Sequence, residues 1–148
     1  MATYFMEGIN LPKRFEKFID NCIQSLFNNE VYDILIRVTK YVDDKGTYAG
    51  FCVGDDEEAT VDIATHFKLD CGEECEFVAH ELASNIAHEL VHAKQFARDQ
   101  INPVDYVWKH NGSSVDCHDL EYAETPWEVE AYAYESILTD IYWENDYV

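Results

Sequence analysis

One helical segment in the middle of the chain carries the pattern His-Glu-x-x-His, and it constrains the fold more than any other feature. His88, Glu89 and His92 form the pattern. On an α-helix, residues four positions apart differ by about 40° around the axis and lie one turn apart, so both imidazoles project from one face. Two imidazoles placed in this way can bind one tetrahedral Zn²⁺, and Glu89 can reach a water on that ion as a general base.

The residues around the pattern favour a helix over a loop. Apolar side chains recur at helical spacing and alanines are frequent from Phe77 onwards. Glutamates lie near the start of the segment, and Lys94 and Arg98 lie near its end, which suits the helix dipole. Asn102 and Pro103 are expected to end the helix. The competing interpretation is a pair of surface histidines that happen to lie four residues apart.

The length and composition of the chain are those of one folded domain. The 148 residues are 47% apolar and 14% aromatic, which predicts a single domain spanning 1–148. The five cysteines are odd in number and irregularly spaced, so we expect reduced thiols rather than a disulfide framework. No apolar run long enough to cross a membrane and no signal peptide is recognisable, which predicts a soluble, cytoplasmic protein.

The charge of the chain is strongly acidic. Thirty acidic residues oppose ten basic ones, giving a formal net charge of −20. This charge repels a phosphate backbone at long range, so nucleic acid is not an expected partner. A basic or neutral partner fits better, and a general adaptation for solubility explains the charge equally well.

The first half of the chain is predicted to contain one helix followed by three strands. Apolar residues between Pro12 and Asn28 follow the i, i+3, i+4 spacing of an amphipathic helix. Residues 31–42, 47–53 and 60–69 have the alternation or composition of strands. Because turns separate these segments, we expect a three-stranded, mainly antiparallel sheet. Residues 1–11 show no clear period and are interpreted as a lead-in.

The second half is predicted to end in a helix that follows the central one. Residues 104–122 are mixed in polarity and predict a functional loop, or a short helix followed by a loop. Thr125 and Pro126 suit the N-cap and the first position of a last helix, which continues to about Trp143. The tail 144–148 is expected to fray. The predicted fold is therefore α+β.

A catalytic zinc site needs a third protein ligand, because it holds three protein ligands and keeps one position open for water. No histidine occurs between Ala93 and Lys109, which excludes sites whose third ligand is a histidine soon after the pattern. The candidates are the glutamates in and before the last helix: Glu124, Glu128, Glu130 and Glu135.

The chain resembles the gluzincin type of zinc metallopeptidase, in which Glu-x-x-Ala on a later helix completes the site. The string Glu128-Val129-Glu130-Ala131 fits that second pattern. Residues 122–132 are also similar to the second motif of small metallopeptidase-like proteins, several of them phage-encoded. The resemblance covers the two motifs and the general order of helices and sheet, and it implies a zincin-like fold.

The resemblance also implies how the site residues divide their roles. One Zn²⁺ per chain is expected, with Glu89 as catalytic base and three ligands: His88, His92 and Glu128. Glu130 stays as the competing third ligand. Many gluzincins carry Asp four residues after the ligand Glu, where it supports a zinc-bound histidine, but this chain has Tyr132 at that position.

The expected activity is hydrolysis of peptide bonds. His118 and Tyr122 are the first candidates for donating a hydrogen bond to the developing oxyanion, because they precede the ligand helix. In related folds an edge strand beside the motif helix receives an extended substrate, and residues 60–69 are expected to take that place. The alternatives are a non-peptidase zinc hydrolase, a catalytically silent zinc-binding protein, or an acidic interaction protein that binds a basic partner.

Overall fold

The computed structural model describes residues 2–144, which form three helices and three sheets. The helices are α1 (Lys13–Phe27), α2 (Ala79–Ala97) and α3 (Pro126–Tyr142). The largest sheet contains β1 (Ala2–Gly8), β2 (Tyr32–Thr39), β3 (Gly50–Gly54) and β4 (Glu58–Ala64). The mixed class of helix and sheet agrees with the sequence prediction. The tail that was expected to fray is 144–148. Of these residues only Glu144 is described, and 145–148 lie outside the described residues.

The prediction of a three-stranded, mainly antiparallel sheet is wrong. The four strands of the large sheet lie in the order β1-β2-β4-β3. The β1–β2 and β2–β4 pairs are parallel, and only β3 and β4 pair in the antiparallel direction. Parallel neighbours need a crossover, which α1 supplies between β1 and β2.

The segment interpreted as a lead-in is the strand β1. The side chains of Tyr4 and Met6 are half-buried, whereas Phe5 between them is 80% exposed. Phe5 therefore lies on the exposed face between the polar residues Thr3 and Glu7, and it interrupts the alternation that marks a half-buried strand.

The apolar core lies between one face of the sheet and the helices α1 and α2. The apolar residues of α1 that follow helical spacing are all buried, as predicted: Phe15, Phe18, Ile19, Cys22, Ile23, Leu26 and Phe27. Four alternating side chains of β2 are buried on the facing side: Tyr32, Ile34, Ile36 and Val38. Each such side chain contributes about 1.5–3 kcal/mol of burial free energy.

The edge strand of the large sheet that lies beside the motif helix is β3, not residues 60–69. The strand β4 lies inside the sheet between β2 and β3, and it ends at Ala64. Residues after it form β5 (His66–Lys68), which pairs with β6 (Glu74–Glu76) in a separate small sheet. The edge strand β3 packs against α2, so the expectation for residues 60–69 is wrong.

The chain between α2 and α3 forms a small sheet instead of the predicted loop or short helix. The helix α2 ends at Ala97, before Asn102 and Pro103, and Asp99 turns the chain with a φ of 52°. The strands are β7 (Ile101–Asn102), β8 (Val107–His110) and β9 (Ser113–Asp116). Asn111 and Gly112 join β8 to β9 with φ angles of 51° and 81°, which suit a type I′ turn.

The helix α3 begins as predicted, with Thr125 at the N-cap and Pro126 at the first position. It packs along α2 and reaches α1. Trp127 in its first turn packs in one apolar cluster with Trp108 of the small sheet and with Cys117 just after β9, which fixes the start of the helix. Within residues 2–144, no helix is long and apolar enough to cross a membrane.

Candidate metal centre

Two helices bring the predicted ligands together. His88 and His92 project from α2, and Glu128 projects from the first turn of α3. The Glu128 carboxylate lies between the rings, with Oε1 2.9 Å from Nε2 of His88 and Oε2 3.0 Å from Nε2 of His92. One donor atom from each of the three residues lies within 4.8 Å of the others, and all three residues are buried. This group can hold one metal ion.

Glu130 lies in different surroundings from Glu128. Its Oε1 is 3.0 Å from Nζ of Lys94 and 3.2 Å from Nε2 of Gln95. The side chain of Lys94 is only 5% exposed, so its charge needs this carboxylate as a partner. The geometry therefore places Glu128, and not Glu130, beside the histidines.

A second layer of hydrogen bonds fixes both imidazoles. Nδ1 of His88 lies 2.8 Å from Oε1 of Glu135, whose other oxygen accepts a hydrogen bond of 2.7 Å from the Ser84 hydroxyl. Nδ1 of His92 lies 2.8 Å from Oε1 of Gln95. Because both acceptors bond to Nδ1–H, each ring presents Nε2 to Glu128.

Electrostatics of the buried group follow from these contacts. Burial alone lowers the pKa of His88, but the hydrogen bonds to Glu128 and Glu135 outweigh it and raise the pKa to about 9. For Glu128, burial acts to raise the pKa, and the hydrogen bonds from His88 and His92 overcome it and lower the pKa to about 2. The carboxylate of Glu128 is therefore ionised, as a metal ligand requires.

Glu89 occupies the wall of a cleft beside the three candidate ligands. Its side chain is buried, and desolvation raises the pKa of its carboxyl above the usual value. The strand β3 approaches it closely, because a Cβ on Gly50 would lie 3.3 Å from Cγ of Glu89 and only 2.6 Å from the Asp62 carbonyl oxygen. A carboxylate with a raised pKa at a cleft wall is suited to accepting and releasing a proton.

The cleft has a volume of about 640 Å³ and runs between β3 and the second half of α2. Glu89, His92 and Glu128 lie at its wall together with apolar side chains such as Phe96 and Trp127. A neighbouring cavity of about 510 Å³ shares three residues with it: Gly50, Glu89 and Tyr122. Open space therefore continues past Glu89 on both sides.

The neighbouring cavity contains a polar group without a partner. Its lining includes Asn85, His88 and Tyr132. Nδ2 of Asn85 is covered and makes no hydrogen bond within residues 2–144. Buried donors are nearly always satisfied, so this amide is a candidate donor to a ligand that enters the cavity.

The two residues predicted to assist the reaction lie in different places. Tyr122 lines both cavities, and desolvation, the charge of Glu128 and a hydrogen bond to that carboxylate raise the pKa of its hydroxyl. His118 is exposed on the loop after β9, where its ring pairs with Asp116 and packs against Tyr106. His118 does not belong to the lining of either cavity.

Sequence reasoning missed the roles of Glu135 and Gln95. Glu135 follows Glu128 by seven residues, two helical turns, so both carboxylates face the same side of α3. Gln95 follows His92 by three residues on α2, within reach of its ring. Both spacings are visible in the sequence. Glu135 and Gln95 support the two rings by hydrogen bonds, a role that Tyr132 cannot take because it has no carboxylate. The Tyr132 ring instead packs against the His88 ring at 4.6 Å between centroids.

Comparison with known proteins gave no match to any protein-family model, curated protein or solved structure. The indications of function therefore lie in the residues of the site and in their arrangement.

Proposed function

We propose that this protein is a zinc-dependent metallopeptidase of the gluzincin type. One observation carries the proposal: the donor atoms of His88, His92 and Glu128 converge within 4.8 Å, and Glu89 lines the cleft beside them. Two surface histidines that were four residues apart by chance would not be buried against a carboxylate from another helix. The joint presence of ligands, a base and an open cleft favours a hydrolytic site over a structural one.

The donor set suits zinc better than a hard cation. Two imidazole nitrogens and one carboxylate are the ligands of many catalytic zinc sites, whereas calcium and magnesium prefer sites built from oxygen. The hydrogen bonds from both Nδ1 atoms leave Nε2 free to act as the ligand atom. His88, His92 and Glu128 would hold the ion at a position beside the cleft.

The proposed reaction uses the residues around that position. When bound, zinc supplies Lewis acidity, which makes water a better nucleophile and polarises a peptide carbonyl. Glu89 accepts a proton from the attacking water and delivers it to the leaving amine nitrogen, so the peptide bond breaks without a free hydroxide or amide ion. The Tyr122 hydroxyl faces the same space and donates a hydrogen bond to the oxyanion that develops on the carbonyl oxygen.

The proposed substrate is an extended peptide that lies along β3. This strand is at the edge of the sheet and next to Glu89, so a peptide paired with it would pass the base. The open space on both sides of Glu89 suits a chain that enters from one side and leaves from the other.

Metal content and turnover test the proposal separately. Purified protein should contain one zinc per chain by elemental analysis, and His88→Ala should lose it. Glu89→Gln should keep the metal and lose the hydrolysis of an unfolded casein substrate, because the amide cannot accept the proton. Equal hydrolysis by Glu89→Gln and the parent would remove Glu89 from the mechanism, and unchanged zinc in His88→Ala would remove the metal site.

A catalytically silent zinc protein that uses its acidic surface to bind a basic partner is the second candidate. The net charge of −20 favours it. It predicts one zinc per chain with no peptide hydrolysis in either the parent or Glu89→Gln, so the same two measurements separate it from the peptidase.

A further inference from the structure

The free edge of β3 faces the cleft. The Asp55 N–H donates to the Glu58 carbonyl and the Ala64 N–H donates to the Ala49 carbonyl, so hydrogen-bonded pairs mark both ends of the β3–β4 ladder. In an antiparallel ladder, hydrogen-bonded pairs alternate with non-hydrogen-bonded pairs. Gly50, Cys52 and Gly54 fall in the non-hydrogen-bonded pairs, so their N–H and C=O groups point away from β4. In residues 2–144 no strand pairs with that edge. Three residues with outward backbone groups are therefore available to an extended peptide.

Much of the cleft lining is apolar. Besides β3, the apolar lining includes Phe96 at the end of α2, Trp127 of α3, Ile101 of β7 and Val104 after it. These side chains suit the apolar residues of a peptide rather than charged ones.

The cleft lining is acidic beyond the end of β3. Asp55 and Asp56 directly follow β3, and Asp99 follows the end of α2. All three are exposed, and hydrogen bonds from the backbone of Glu57 and Glu58 lower the pKa of Asp55. Asp99 has a long ion pair, with 3.5 Å between its Oδ2 and Nζ of the exposed Lys109, so it is partly neutralised and Asp55 and Asp56 carry most of the negative charge. No lysine or arginine is among the described residues that line the cleft. This end complements a positive side chain, in keeping with the charge of the whole chain.

We propose that this cleft selects extended peptides that carry lysine or arginine at a fixed distance from the cleaved bond. The inference rests on the proposed function and defines its substrate class. Gly50 lies against Glu89, whereas Asp55 and Asp56 follow it by five and six residues. A peptide paired with β3 advances at the same rise per residue, so its basic residues lie about four to six positions from the cleaved bond.

The binding test uses the metal-loaded Glu89→Gln protein, so that no probe is consumed. The probes are fluorescein-labelled peptides with an apolar centre and two lysines about five residues from it, on either side. Matched peptides carry two glutamines or two glutamates instead. By fluorescence anisotropy at low salt, one lysine peptide should bind about fivefold to tenfold more tightly than its glutamine counterpart, and the preference should fall as salt rises.

A pair of charge-matched variants locates the effect. Asp56→Asn/Asp99→Asn removes two carboxylates from the cleft, and asparagine tolerates the positive φ at position 99. Asp44→Asn/Asp70→Asn changes the net charge equally at exposed positions outside the cleft. The first variant should bind the lysine and glutamine peptides equally, and the second should keep the preference. A preference that survives in the cleft variant, or is lost equally in both, overturns the inference.

Hydrolysis of the same peptides by the unmutated protein distinguishes the two proposals. Lysine-dependent binding without cleavage would support the selective cleft and contradict the peptidase. Cleavage with equal kcat/KM for the lysine, glutamine and glutamate peptides would support the peptidase and overturn the selectivity.

Discussion

Glu135 holds His88 in place through a hydrogen bond of 2.8 Å to Nδ1, on the side of the ring opposite Glu128. The Ser84 hydroxyl holds the other oxygen of Glu135, so α2 contributes both the histidine and an anchor for its partner. A carboxylate behind a histidine fixes the ring and makes its free nitrogen a stronger ligand. This contact gives Glu135 a positioning role toward His88, and its charge also contributes to the raised pKa of Glu89.

Replacing Glu135 should weaken metal binding without unfolding the protein. In Glu135→Gln an oxygen can still accept the hydrogen bond, but the charge behind His88 is lost, so we expect zinc affinity to fall about tenfold to a hundredfold. Competition with a chelating fluorophore measures this affinity. Ser84→Ala is the control, because it keeps the charge and should give a smaller loss. An unchanged affinity in Glu135→Gln would show that the contact only packs the helices.

Glu128 and Glu130, two positions apart on α3, should respond in opposite ways to the same substitution. Glu128→Gln should lose zinc, since it removes an ionised ligand. Glu130→Gln should keep one zinc per chain but lower the unfolding free energy by about 1–3 kcal/mol, because it leaves the buried Lys94 ammonium with a weaker partner. Elemental analysis and urea denaturation in the presence of a chelator separate the two effects. Zinc lost from Glu130→Gln and kept by Glu128→Gln would reverse the ligand assignment.

Removal of the metal should lower the thermal stability. A ligand that binds only the folded state at 1,000 times its Kd stabilises it by about 4 kcal/mol, which is about 8–16 °C in Tm for a domain of this size. Thermal unfolding with excess zinc and with chelator measures the difference. His88→Ala should show no zinc-dependent shift. An equal shift in that variant would mean that zinc acts elsewhere on this acidic chain.

The parts of the molecule that were predictable from sequence are those specified by local periodicity. The stripe of α1 and the pair His88 and His92 depend only on helical spacing, so the buried face and the shared direction of the rings could be predicted. The convergence of Glu128 with the rings followed from a resemblance in two motifs, since spacing alone did not separate it from Glu130. Glu130 pairs with Lys94 because α2 and α3 pack together, and residue spacing alone does not predict that packing.

The wrong predictions for β1, for the β8–β9 hairpin and for residues 60–69 have separate physical causes. The strand β1 pairs with β2 across about thirty residues, and no local signal specifies a parallel partner. The hairpin β8–β9 did have a local signal, because Asn111-Gly112 is the preferred sequence of a two-residue type I′ turn, and the mixed polarity around it concealed the strands. Residues 60–69 have strand composition throughout, but the chain leaves the large sheet after Ala64, so one predicted strand is two.

Gly50 should matter for turnover in a way that Gly54, at the other end of β3, does not. A Cβ at either position would collide with backbone: 2.6 Å from the Asp62 oxygen for Gly50, and 2.7 Å from the Glu58 oxygen for Gly54. Both substitutions to alanine should therefore cost about 1–3 kcal/mol of stability. Only the Cβ at position 50 also meets Glu89, at 3.3 Å from its Cγ.

Gly50→Ala should consequently lower kcat by about tenfold or more, because a displacement of the base by even a few tenths of an ångström disturbs its geometry toward the attacking water. Gly54→Ala should keep kcat within about twofold at temperatures where both variants are folded. Zinc content should remain one per chain in both, since neither glycine contacts a ligand. Equal losses of kcat would mean that the strain in β3, and not the contact with Glu89, limits the reaction.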